Sequence, residues 1–222
     1  MIFGIIAVVI CILLFLKIVS RKLKWHTADK VLRKIHIPCG LVVVVMIVIH
    51  FIITLDVWAT RNVLVMITGL LAAIVLLLMA VGYSFRKKLK GKWIVLHRSG
   101  ALLIALLIMC HIAIYYVDFF SYKSNISTID IIGMDASNVK DGTYIGEYDA
   151  GYIYARVAVG VNNGQIVTIN ILEHDNERGT PAEAIVDSIV EQQNTQVDAV
   201  SSATNSSLVI EKAVENALEK GK

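Results

Sequence analysis

HIPCGLVVVVMIVIH (residues 36–50) and HRSGALLIALLIMCH (residues 97–111) decide the fold: each is an apolar run opened and closed by a histidine, with the same 14-residue separation in both. An α-helix turns about 100° per residue, so 14 positions turn through about 1400°, some 40° short of four full turns, and rise about 21 Å. Each pair of histidines therefore shares one helix face. A hydrocarbon layer about 30 Å thick would hold one ring of each pair near either surface.

Working outward, the chain has 222 residues, of which 56% are hydrophobic, and a mean hydropathy of +0.68, far above that of an ordinary soluble protein. Four stretches, 2–19, 35–55, 63–81 and 93–117, are apolar enough over roughly 20 residues to cross a bilayer. The first has no basic residue before it and no small-residue cleavage site after it, so it reads as a retained span rather than a signal peptide. The loop after the first span carries Arg21, Lys22, Lys24, Lys30, Arg33 and Lys34, and the loop after the third carries Arg86, Lys87, Lys88, Lys90 and Lys92. Between the second and third spans stand only Asp56 and Arg61. The positive-inside rule then puts both basic loops in the cytoplasm, and the N-terminus and everything after Val117 outside. The formal charge of +3 comes from these loops, so it speaks for topology and against a nucleic-acid partner. Cys11, Cys39 and Cys110 lie inside apolar runs without the paired spacing of a disulfide framework, a zinc site or an iron–sulfur cluster, and read as small core residues.

With that orientation, and if the two histidine faces meet in a four-helix bundle, His36 can oppose His97 near the cytoplasmic surface and His50 can oppose His111 near the outer one. Neutral imidazoles facing each other across a helix bundle offer the two lone pairs that axial ligation of a haem iron needs. No Cys-x-x-Cys-His attachment motif is present, so the expected cofactors are two b-type haems. Gly40 and Gly100, just past the inner histidines, would admit a close approach of backbone or porphyrin. Arg33, Lys34, Lys92 and Arg98 suit either haem propionates or the bland role of flank charges. Histidines held in a bundle only by hydrogen bonds are the plain alternative, but that role does not require equal separations on two helices. Over residues 31–117 the spacing resembles the di-haem cores of the cytochrome b and ferric-reductase families. His26 reads as a solvated loop residue, and His174 as a surface one.

The remainder of the chain has ordinary turn and charge content. Between Gly142 and Ile171 it alternates as three antiparallel strands with a turn at 162–164, and helical stretches follow at 181–191 and 206–219, an α+β class. Between the helices lies DAVSSATNSS (198–207), rich in residues that cap helices and bind anions at a helix start; a plain cap and a phosphate site both fit it. Residues 141–218 resemble the FMN-binding domain family of the C and G subunits of sodium-pumping quinone reductases and Rnf-type complexes. The resemblance is carried by Asp-Gly-Thr-Tyr at 141–144, Glu-His-Asp-Asn-Glu-Arg-Gly at 173–179 and Asp-Ala-Val-Ser-Ser-Ala-Thr at 198–204. It implies that Asp198, Ser201, Ser202 and Ala203 surround a flavin site and that Thr204 is joined through its hydroxyl to the phosphate of FMN, a bond installed by a separate flavin transferase. Where the family usually has Ser-Gly-Ala-Thr, Ser202 stands at the glycine.

The expected architecture is thus a membrane all-α four-helix bundle followed by a small α+β extracytoplasmic domain: residues 1–120 the di-haem part, 121–140 a linker, and 141–222 the FMN-binding part. The expected function is electron transfer from a membrane donor, a quinol or a membrane dehydrogenase, through the haems to FMN and on to an external acceptor, in the manner of a ferric reductase. An electron-relay subunit or redox sensor of a larger respiratory complex, and a haem-free membrane anchor for a flavodomain, are the alternatives. No dinucleotide fingerprint is present, which speaks against a direct NAD(P)H site. The resemblance implies a prokaryotic cell membrane, with lipid as the first partner.

Overall fold

The computed structural model describes residues 2–58 and 60–222. It divides into two compact units, Met1–Trp58 with Asn62–Tyr115, and Ala59–Arg61 with Tyr116–Lys222.

The first unit is built on α1 (Ile2–Lys22), α2 (His26–Thr54), α3 (Val63–Ser84), the single turn α4 (Arg86–Leu89) and α5 (Gly91–Ser127), whose residues from Tyr116 onward belong to the second unit. The four long helices are apolar enough and long enough to cross a membrane. Their large aliphatic side chains point outward, Leu41, Leu78 and Leu102 among them, while the buried positions are few and mostly small, such as Ala7, Cys11, Val43 and Ala72. That inversion suits hydrocarbon as solvent, where small residues let helix backbones approach. Two helices are longer than their apolar runs. α2 starts at His26 because residues 26–34 form an amphipathic extension, braced by an Asp29–Arg33 ion pair of 2.6 Å one turn apart. α5 continues ten residues past Val117 because nothing from Asp118 to Ser127 is glycine or proline. The start of α3 is capped by Asn62, whose Oδ1 accepts the N–H of Leu64 at 2.9 Å.

In the second unit, β1 (Gly142–Asp149), β2 (Tyr154–Asn162) and β3 (Gln165–Asp175) form an antiparallel sheet in the order β1-β2-β3. A 3₁₀ turn at Thr180–Ala184 leads into α6 (Ile185–Gln192), and α7 (Thr204–Glu219) closes the fold. One sheet face carries Ala155, Val157, Val159 and Val161, which pack with Val209, Ile210, Ala213, Val214 and Ala217 of α7 into the core. The opposite face carries a cross-strand charge ladder, Glu147 opposite Arg156 opposite Glu173. Met134, Ala136 and Val139, ahead of β1, are buried in the same core, with Tyr122, Ile126 and Ile129 packed against it.

Two carboxyl groups lie buried on α7. Glu215 is fully enclosed, yet its Oε1 accepts the N–H groups of Ile132 (2.9 Å) and Gly133 (3.2 Å) and the Thr195 hydroxyl (3.0 Å), and its Oε2 pairs with Lys212 at 2.9 Å. Its charge is thus compensated. Glu211, one turn earlier, accepts among the described residues a single 3.3 Å bond, from the Val197 N–H, and burial, helped by the nearby Glu215 charge, pushes its pKa up to about 7. The folded protein therefore keeps this proton over a range where the unfolded chain has lost it. Stability conferred in acid should fall by about 3 kcal/mol as pH rises from near 4.5 to 7. Thermal unfolding of the second unit against pH checks this, and Glu211→Gln should flatten the slope.

Candidate functional site

Residues 198–204 form a tight loop feeding α7. The Val200 N–H donates to Ser207 Oγ (3.0 Å), the Ala203 N–H to the Val200 carbonyl (3.0 Å), and the Ser207 N–H to the Ala203 carbonyl (3.0 Å). Ser202 takes a left-handed backbone with φ +69°, a conformation that costs an L residue roughly 1–2 kcal/mol and glycine almost nothing. This is why glycine suits the position. Ala203 is the N-cap of α7 and makes no side-chain cap bond. The loop is thus not a side-chain-capped helix start: the first N–H groups of α7 have no partner within the helix, and the positive end of its dipole is open to an anion. Thr204 opens the helix with an exposed side chain, and Asp198, Ser201 and Ser202 are exposed on the same loop.

The 173–179 segment is packed directly onto this helix start. A Cβ on Gly179 would lie within 2.7 Å of Ser206 Cβ, so only glycine permits the approach. The Gly179 N–H donates to Asn176 Oδ1 (2.7 Å), and Asn176 Nδ2 donates to the His174 carbonyl (3.1 Å). His174 is not the surface residue its sequence suggests. Its side chain is 2% exposed, Nδ1 lies 3.0 Å from Glu183 Oε1, and Nε2 is buried with no partner among the described residues. A β-bulge at Arg156/Val157 shifts the β2–β3 register, and His174 then stands opposite buried Ala155. Strand alternation alone does not reveal this.

Next to Thr204, Asn205 Nδ2 donates to the Tyr122 hydroxyl at 3.0 Å. The Tyr122 ring is stacked on Tyr152, centroids 4.7 Å apart and planes 19° from parallel. The guanidinium of Arg61, a residue of the same unit, lies 3.7 Å above the Tyr152 ring and pairs with Glu177. Burial, reinforced by the Asp118 carboxylate, pushes the Tyr152 phenol up to about 12, so it stays protonated at any ordinary pH. Neither tyrosine was marked by a sequence motif.

In the first unit, His36 and His97 are brought together, ring centroids 5.8 Å apart and planes at 79°. Nδ1 of each is buried without a hydrogen-bond partner among the described residues. His111 is oriented by its Nδ1, 2.9 Å from the Val65 carbonyl, which makes Nδ1 the donor and leaves the lone pair on Nε2. His50 and His111 each lie against a glycine of a neighbouring helix: a Cβ on Gly4 would be 3.1 Å from the His50 ring, and one on Gly69 3.0 Å from the His111 ring. Gly40 and Gly100, expected to admit a close approach beside the inner histidines, differ from each other in their surroundings. A Cβ on Gly40 would meet nothing within 4 Å, and one on Gly100 would meet the Met79 sulfur at 2.7 Å. No group of three or more His, Cys, Asp or Glu gathers as a metal site among the described residues.

Residues 150–219 match the family model of the FMN-binding domain. No curated protein and no solved structure matches the chain significantly.

Proposed function

We propose that the chain is a transmembrane electron-transfer protein that takes electrons from a membrane donor, a quinol or a membrane dehydrogenase, and delivers them to an external acceptor. In this reading FMN is held covalently at Thr204 by a flavin transferase, and two b-type haems are held by His36 with His97 and by His50 with His111. The observation that carries it is Thr204: an exposed hydroxyl at the uncapped start of α7, inside the segment that matches the FMN-binding domain.

Observations at Thr204 and at the histidines support this reading. At Thr204 the free N–H groups of α7 and its dipole stabilise a phosphodiester charge, and the Gly179 contact holds that turn in place. In the first unit, unpartnered imidazole nitrogens on His36 and His97 and the fixed Nδ1 tautomer of His111 are what ligands to a haem iron require. Bound flavin and haem would supply the reversible gain and loss of electrons; the chain supplies position and potential. An outward electron moves with an inside-negative membrane potential, a gain of about 2.3 kcal/mol per 100 mV if the whole field is crossed.

The test is the oxidised and dithionite-reduced spectrum of the chain produced with a flavin transferase and purified in mild detergent, with haem and FMN quantified. Two haems and one FMN per chain are expected. FMN without haem would reduce the four histidines to structural residues and leave a membrane-anchored flavodomain. Changing His50 or His111 to alanine should remove one haem and stop flavin reduction by quinol, while the other haem remains.

A further inference from the structure

The geometry points to Tyr122 as the aromatic contact of the flavin ring, a binding residue that lies outside the segment matching the FMN-binding domain and that Asn205 and Tyr152 hold in place. This rests on FMN being attached at Thr204. An isoalloxazine tethered there is a broad apolar ring system on an otherwise exposed turn, and it gains by covering a neighbouring aromatic face. Stacking of that kind adds a modest stabilisation beyond the area it buries. A covalent tether holds the ring at high effective concentration, so a contact of that strength suffices.

Tyr122 offers that face beside the attachment point. Its hydroxyl is bound by the side chain of Asn205, the residue after Thr204, at 3.0 Å, so its ring is fixed next to the first turn of α7. The ring is half-buried, whereas Tyr152 behind it is 5% exposed and backed in turn by Arg61. Tyr152 is thus enclosed, and Tyr122 is the member of the stack within reach of a ligand. The stack is rigid from the rear, with rings 4.7 Å apart and nearly parallel, which sets the orientation of anything laid against it.

Flavin fluorescence tests the contact without reference to turnover. A phenol touching an excited isoalloxazine gives it one electron and takes it back, which shortens the excited-state lifetime and leaves both groups unchanged. An indole does the same, and phenyl or aliphatic side chains do not. In the flavinylated full chain in detergent, Tyr122→Phe and Tyr122→Leu should lengthen the mean flavin lifetime severalfold, and Tyr122→Trp should keep it as short as in the parent. Because phenylalanine preserves the stack on Tyr152, Tyr122→Phe decides the matter even if the leucine variant folds poorly. A parent-like lifetime in Tyr122→Phe, or a long one in Tyr122→Trp, would overturn the assignment. A parent chain with no fluorescent band on a denaturing gel would instead overturn the attachment of FMN at Thr204, and this contact with it.

Discussion

Thr204→Ala is expected to abolish the proposed covalent flavin: on a denaturing gel the fluorescent band expected of the parent chain should be lost completely, while the chain is made and inserted as before. The effect is all-or-none because the phosphodiester needs a side-chain oxygen at that position, and alanine has none. The change should leave the fold alone. Thr204 is exposed, and the loop before it is held by hydrogen bonds among Val200, Ala203 and Ser207 that do not involve the Thr204 hydroxyl. A surface substitution of this sort costs within about 0.5 kcal/mol. Thr204→Ser, which keeps an oxygen, should retain part of the band. Persistence of full fluorescence in Thr204→Ala would move the attachment to another hydroxyl, with Ser201, Ser202 and Ser206 the neighbours to try next.

Gly146→Ala is the second large effect, this time on stability. A Cβ at Gly146 of β1 would lie 2.0 Å from the Ala213 carbonyl oxygen and 2.4 Å from the Ala217 nitrogen of α7. Both are backbone atoms of a helix held in the core by Val209, Ile210, Val214 and Leu218, so relief requires the whole helix to lift from the sheet. A loss of about 3 kcal/mol or more is expected, at the upper end of overpacking effects. Gly160→Ala on β2 is the control: its Cβ would meet the Thr168 Oγ1 at 2.5 Å, the tip of an exposed side chain that can rotate away. Thermal unfolding of the second unit in the full chain measures both, and equal losses in the two variants would show that the β1–α7 contact is softer than its geometry indicates.

The four membrane helices were legible in the sequence because hydropathy is a property of the chain itself and needs no knowledge of neighbours. The strands and α7 were legible for a similar reason, since period-2 alternation and helical periodicity survive in a domain with one solvated sheet face. The ends of α2 and α5 were not, because amphipathic residues such as Asp29 and Arg33 continue a helix without any apolar signal. Thr204 was singled out by its motif, and Ser202 was noticed there as a departure; the φ of +69° at Ser202 gives the reason glycine suits that position. Gly4 and Gly69 were missed because a glycine's role lies in what faces it, here imidazoles carried by other helices. The pairing of Tyr122 with Tyr152 and Asn205 was missed for the same reason: residues far apart in the chain meet only after folding.

The buried carboxylate of Glu215 bears on where the second unit begins. Its partners Ile132 and Gly133 precede β1, and the segment matching the family model starts at residue 150. A polypeptide cut at that boundary would lose β1, strip Met134, Ala136 and Val139 from one side of α7, and leave the Glu215 charge sealed without two of its backbone donors. The matched segment is therefore smaller than the compact unit that contains it. A second unit excised from this chain has to carry the upstream residues from the end of α5 onward.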